Sequence, residues 1–297
     1  MLDPWRLRLL TLLESLGTVR AVAGSARLSP SNVSEQLAVL EREAGTRLFE
    51  RAGRRLRLTP AGAALVRHAR VILDQMDAAR EELAAFDATD AGLTGAVRLG
   101  AFTSALNTFV LAAVGDLAGA HPRLRVTVWE LDPAESVAAL QRGECDVVVT
   151  ADPGGGATPD VVHTPLATDE IMLVTAAGAD HPAGGGPADL AGFADRRWST
   201  ELPGTWTYDL VTTACRRAGF EPDLAGCFAS YGSLLAHVEA GLSVTLLPEL
   251  AVDRRFRVAA RPVRVPMRRR ITAAVRRSSA GRASIVAVVE ALRRASH

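Results

Sequence analysis

Ser31, Asn32, Ser34, Glu35 and Gln36 place five hydrogen-bonding side chains within one short stretch. Their chemistry suits the edges of nucleic-acid bases. Asn and Gln can pair with adenine, Glu can accept from cytosine N4, and Ser can serve either role. Further on, Arg51, Arg54, Arg55 and Arg57 crowd a turn at Ala52-Gly53, and guanidinium forks match phosphate oxygens. A third group is Phe102-Thr103-Ser104. If it opens a helix, free backbone N–H groups and two hydroxyls would face a small carboxylate or phosphate. Ser104 acting only as a cap is the competing reading. Thr150, Ser199, Thr200, Ser230, Tyr231 and Pro248 lie at the ends of expected strands or helices, where loops carry ligand contacts. Phe102 and Trp206 could supply apolar walls.

Other chemistry has less support. His68, His121, His163, His181, His237 and His297 show no metal-ligand spacing. Ser243 lacks the glycine-flanked setting of a hydrolase nucleophile. Gly154-Gly155-Gly156 and Gly184-Gly185-Gly186 read as surface loops rather than phosphate cradles. No catalytic residue, metal or cofactor is expected. Cys145, Cys215 and Cys227 form no CxxC pair. Cys215 and Cys227 could pair as a redox switch, although a cysteine is more often a small buried residue. Arg268-Arg269-Arg270 precedes a strand and reads as a solvated edge.

Elements must position these groups. A scaffold helix is expected at about residues 7–15, where leucines cluster. An Ala-rich amphipathic segment, Thr18 to Leu28, ends in a turn. Ser29 then suits an N-cap and Pro30 the first helical position. Val33, Leu37 and Leu40 repeat at helical spacing, which leaves the polar residues near the helix N-terminus exposed. Leu56 and Leu58 alternate with Arg57 and Thr59 as a short hairpin strand would. Helix, turn, helix and basic wing together point to a recognition helix in a major groove, with arginines on the backbone.

From Pro60 a long helix is predicted to about Phe86, with Leu65, Ala69, Ile72, Leu73, Met76, Ala79, Leu83 and Phe86 on one stripe. It would be ~40 Å long and has no obvious partner in its own chain, so a second copy is expected against it. A hinge follows at 87–94. Beyond it strands and helices alternate, which implies a largely parallel sheet covered on both faces.

The whole chain of 297 residues carries a net charge of only +1, and its cationic side chains are all arginine. Residues 1–60 hold 10 Arg against 6 acids, a net of +4, and residues 61–92 hold 3 Arg against 6 acids, a net of −3. The phosphate-attracting potential therefore lies at one end. No long apolar run or secretory pattern is seen, so no membrane contact and a cytoplasmic location are expected.

The set Val33-Ser34, Gln36, Leu40-Glu41, Gly45, Arg47-Leu48-Phe49-Glu50-Arg51, Arg55 and Leu58-Thr59-Pro60-Ala61-Gly62 resembles the N-terminal domain of LysR-type transcriptional regulators. The layout resembles that family along the whole chain. Pro30 and Glu35 depart from its common pattern, where Gln and Arg often stand, so target sequence does not carry over.

The resemblance implies an α plus α/β protein. Its parts would be a winged helix-turn-helix (1–60), a linker and dimerisation helix with hinge (61–92), and a two-lobed, periplasmic-binding-protein-like effector domain (93–297). Lobe I would take about 93–161 and 266–297, and lobe II about 162–265. The expected partners are double-stranded DNA, a second or further copy of the chain and an unidentified small-molecule effector, with RNA polymerase a candidate. The competing readings are a regulator without effector, a solute-binding protein, and an α/β enzyme.

Overall fold

A computed structural model describes residues 1–52, 55–86, 93–152, 160–179 and 186–296, without the side chains of 51, 52, 55, 84–86 and 152. The hinge expected at 87–94 and the glycine runs near 155 and 185 fall mostly outside the described residues.

The head begins with α1 (Pro4–Leu16), capped by Asp3, which accepts from the backbone of Trp5 and Arg6. Next come α2 (Val19–Ala26) and α3 (Pro30–Ala44). Ser29 caps α3 by accepting from Asn32 N–H, and Gly45 ends it in the left-handed region, as expected of a C-terminal glycine. A hairpin follows, β1 (Phe49–Ala52) antiparallel to β2 (Arg55–Leu58). The core behind α3 is Leu7, Leu10, Leu13, Val22, Val33, Leu37, Leu40, Leu48 and Val66. Each such side chain contributes about 1.5–3 kcal/mol on burial, and this fixes which face of α3 points outward.

Helix α4 (Pro60–Phe86) runs the length the sequence predicts. Gly62 starts it against the wing: a Cβ there would lie 2.2 Å from the carbonyl oxygen of Leu48. Its partners differ from expectation. Val66 and Ala69 pack into the head core, and Asp74 and Glu81 reach the body of the same chain. Val71, Ile72 and Leu83 stay exposed.

The body opens with β3 (Gly95–Ala101), then α5 (Thr103–Ala105), a π-helical turn (Leu106–Val110) and α6 (Leu111–Ala120). By length and composition alone, Thr103–Ala120 is apolar enough to cross a membrane. Here Phe109, Val110, Ala113 and Leu117 face the core of lobe I. Then come β4 (Leu124–Glu130), α7 (Pro133–Gln141), β5 (Val147–Asp152) and the long β6 (Val161–Ala176). The remaining elements are β7 (Arg197–Glu201), α8 (Trp206–Arg217), β8 (Asp223–Phe228), α9 (Tyr231–Glu239), β9 (Thr245–Pro248), β10 (Val258–Pro262), β11 (Arg268–Arg276) and α10 (Ala283–Ala295).

The principal sheet is mixed rather than largely parallel, in the order β10-β6-β11-β5-β3-β4 with β9 on β6. Strands β3, β4 and β5 are parallel, whereas β11 runs antiparallel to both β5 and β6. The first half of β6 pairs with β11, and the second half with β9 and β10, so one strand serves both lobes. That first half carries Pro165, and a proline argues against an interior strand. A register shift at Ile271/Thr272 leaves Leu166 as the extra residue beside Pro165, the behaviour of a β-bulge.

Candidate functional site: an exposed helix face and the junction between the lobes

Ser31, Asn32, Ser34 and Glu35 lie exposed on the first turns of α3. Ser31 Oγ is 3.0 Å from Ser29 Oγ, and Ser34 Oγ donates to the Pro30 carbonyl. Gln36 is half-buried, and its Oε1 accepts from Arg6 Nε at 3.0 Å. Arg6 also donates to Glu43 on the same helix. It therefore ties α1 to α3 and orients Gln36, a role that nothing in local spacing announces. Glu41 Oε1 accepts from the backbone N–H groups of Leu48 and Phe49 at 2.8 and 3.0 Å. The recognition-type helix thus anchors the first wing strand. Arg57 is exposed on β2. Arg54, with the side chains of Arg51 and Arg55, lies outside the described residues. The surface this head offers is a polar helix end beside a basic hairpin.

The second group converges where the lobes meet. Arg269 and Asp169 are Cα partners on β11 and β6. Their side chains are 2% and 1% exposed and lie 2.7 Å apart. Arg269 Nη2 also donates to Ser104 Oγ at 2.9 Å. Its guanidinium stands 4.8 Å from the Phe102 ring and 5.3 Å from that of Trp206. Phe102 and Ser104 belong to lobe I, and Trp206 opens α8 in lobe II. The reading of Arg268-Arg269-Arg270 as a solvated edge is therefore wrong at its middle residue. Strand alternation turns Arg268 and Arg270 outward and Arg269 inward.

This pair alters the anion-site expectation at Phe102-Thr103-Ser104. Ser104 does not cap the helix: the N-cap is Phe102, with no side-chain bond. Asp169 supplies a built-in carboxylate, accepting from Arg269 and from Leu250 N–H at 3.2 Å. Thr103 is exposed and donates to Glu130.

Glu201 ends β7 nearby. Burial raises its pKa, and hydrogen bonds from Thr207 and Tyr231 act against that rise. Burial, with Glu201 next to it, pushes the Tyr231 phenol up to about 12. Tyr231 OH is 3.2 Å from Thr207 Oγ1. Asp132 and Arg269 lie close enough to act on Glu201 electrostatically. Thr200, beside Glu201 in sequence, is fully buried, and its hydroxyl has no partner among the described residues.

The other predicted contacts are committed elsewhere. Thr150 donates to the Pro133 carbonyl. Ser199 Oγ is 2.7 Å from Ser243 Oγ, which also meets His237 Nδ1 at 2.8 Å. Ser230 caps α9. Pro248 is buried at the end of β9. Sequence reasoning missed Arg269, Asp169 and Glu130. The alternation of β11 was the available signal for the first.

The thiols are free. Burial raises the Cys145 thiol to about 11 and the Cys215 thiol to about 12. Cys227 is exposed.

Comparison with known proteins follows the same division. A family profile described as "Bacterial regulatory helix-turn-helix protein, lysR family" matches residues 5–63, and one described as "LysR substrate binding domain" matches residues 90–296. A probable hydrogen peroxide-inducible genes activator of Mycobacterium avium is 32% identical over 264 residues, 86% of this chain and 81% of that protein. One of Streptomyces viridosporus is 33% identical over 79% of this chain and 73% of its own. Among solved structures, a full-length OxyR variant of Pseudomonas aeruginosa superposes with a TM-score of 0.75 at 23% identity, covering 100% of this chain and 96% of that one. Full-length CbnR complexed with its target DNA gives 0.56 at 20% identity, covering 99% and 100%. With both halves matched in order, the chain belongs to the LysR family of DNA-binding transcription regulators, a helix-turn-helix domain followed by an effector-binding domain.

Proposed function

We propose that this regulator responds to a small, neutral or cationic molecule at the interlobe junction, and not to oxidation of a thiol. The observation that carries the reading is the buried Arg269–Asp169 pair, set between Phe102, Ser104 and Trp206. The positive charge there already has its carboxylate, so an incoming anion would have to displace Asp169. What remains for a ligand is the acid side of Glu201, Asp132 and Glu130 and the aromatic faces of Trp206 and Tyr231. Hydrogen-bond donors or a cationic amine fit that surface. The relatives' names point to peroxide, yet Cys145 and Cys215 are buried, with thiols raised to about 11 and about 12 that carry almost no thiolate at neutral pH, which leaves the exposed Cys227 without a second thiolate to pair with.

In this reading the chain acts as a homodimer or homotetramer on duplex DNA. Helix α3 enters the major groove with Ser31, Asn32, Ser34, Glu35 and Gln36, while Arg51, Arg54, Arg55 and Arg57 of the wing meet phosphates. The ligand must bind the two DNA-bound arrangements with different affinity to shift them. Any signal to RNA polymerase would follow from that shift.

The test is a protection footprint on a duplex selected from a random pool. We expect hydrogen peroxide to leave it unchanged, alike in wild type and in a variant with all three cysteines changed to Ser. A screen of small amines should move it in wild type and not in Glu201→Gln. A peroxide-shifted footprint that the cysteine variant loses would overturn the proposal.

A further inference from the structure

A cavity of about 740 Å³ lies where α1, α4 and lobe I meet, away from the interlobe junction. Five arginines line it, Arg67 and Arg70 from α4, Arg142 after α7, and Arg276 and Arg277 from the end of β11. Two acids, Glu14 and Asp160, share the wall, which leaves it net positive.

These arginines are not equally occupied. Arg276 is buried and fully engaged, holding Asp74 and Asp146 and two backbone carbonyls. Arg142 is held by Glu144 through two bonds. Arg70 pairs with Glu14 through Nη2, but its buried Nε has no partner. Arg67 makes only a 3.4 Å contact to a carbonyl of its own helix. No carboxylate among the described residues lies within ion-pair distance of Arg67 or Arg277. Arg67 and Arg277 therefore have donors to spare around one space, beside the Glu14-paired Arg70 and apolar surface from Ala63 and Val71.

We infer that this cavity is a second ligand site, built for a compact organic anion: a phosphate, sulfonate or carboxylate group on a small apolar body. The volume suits such a molecule. Arginine forks match oxyanions bidentately, and a site formed from both head and body gives the ligand a mechanical consequence. Ser15 of α1 donates to the Arg142 carbonyl at 3.1 Å, so the head already rests on lobe I at the cavity's edge. An anion bridging Arg67 and Arg70 on α4 to Arg277 on lobe I would hold the head in this orientation. Occupancy of the cavity would thus act on DNA geometry without passing through the interlobe junction.

The experiment is titration calorimetry of the full-length protein with phenyl phosphate, and with inorganic phosphate in parallel. Phenyl phosphate should bind wild type, and inorganic phosphate should bind more weakly because the apolar wall stays uncovered. The double variant Arg67→Ala with Arg277→Ala should weaken phenyl phosphate about tenfold or more. Both side chains are exposed, so the melting temperature should hold. Glu201→Gln, at the other site, should leave this binding unchanged, which separates the cavity from the junction. No binding to wild type at about 10 mM, or equal affinity in the double variant, would overturn the site. Loss of binding in Glu201→Gln alone would do the same. Inorganic phosphate binding as tightly as phenyl phosphate would overturn the assignment of an apolar body.

Discussion

Asp169 and Arg269 show how one buried pair can set both stability and ligand preference. Removing one partner of such a pair strands a charge in a dry site. Asp169→Ala should cost about 3–5 kcal/mol in urea unfolding, whereas Asp169→Leu with Arg269→Met should cost far less. Equal costs would mean that shape rather than charge holds the junction. Glu201 adds a pH dependence with a definite sign. Its folded pKa is raised by burial. Its favourable contribution is therefore complete below the unfolded value, and is lost as pH rises through the folded one. Glu201→Gln should gain on wild type in melting temperature from about pH 5 to about pH 7, with the gap closing in acid. A gap constant over that range would contradict the upward shift that burial imposes on this carboxyl.

At the scale of elements, α4 is the shared spine. One side joins the head core through Val66 and Ala69. Another is bound to lobe I by polar side chains: Asp74 to Arg276 at 3.0 Å, Ser278 to Asp74 at 2.6 Å, and Glu81 to Arg282 and Ser284. What remains is an exposed apolar edge of Ile72 and Leu83. An apolar edge of that kind is the natural contact for a second copy under two-fold symmetry. Ile72→Asp with Leu83→Asp should shift sedimentation toward monomer and weaken duplex binding. A variant that stays dimeric would place self-association on another surface. The wing is held by the opposite logic, through backbone bonds to Glu41 and through Thr59, whose N–H and hydroxyl reach the Leu48 and Arg47 carbonyls.

For the whole molecule, the sharing of β6 between lobes is the decisive feature. Because one continuous strand carries Asp169 near the crossing, any relative movement of the lobes would fall on the residues that surround Arg269. On the reading proposed above, a ligand contacting Phe102 on one lobe and Trp206 on the other would couple to lobe arrangement. Two heads presented by one dimer should select duplexes with two half-sites about 34 Å apart or at multiples of that spacing. A selected pool containing single, unpaired sites would rule out this symmetric presentation.

The one-dimensional pattern was enough for the elements of the head, though not for the Arg6 tie between α1 and α3. Val33, Leu37 and Leu40 fix the buried face of α3 by local periodicity, Ser29 and Pro30 fix its start, and Gly62 and Thr59 mark the joint with α4. All of these act between residues close in the chain. The length of α4 was legible for the same reason. The junction was not, because its chemistry comes from residues far apart in sequence: Ser104, Asp169, Glu201 and Arg269 become neighbours only through strand register. Pro165 is accommodated within β6 because a bulge, set by the facing strand, makes room for it. Periodicity and capping report on nearest neighbours along the chain, whereas burial of a charge is decided by what the folded sheet brings opposite it.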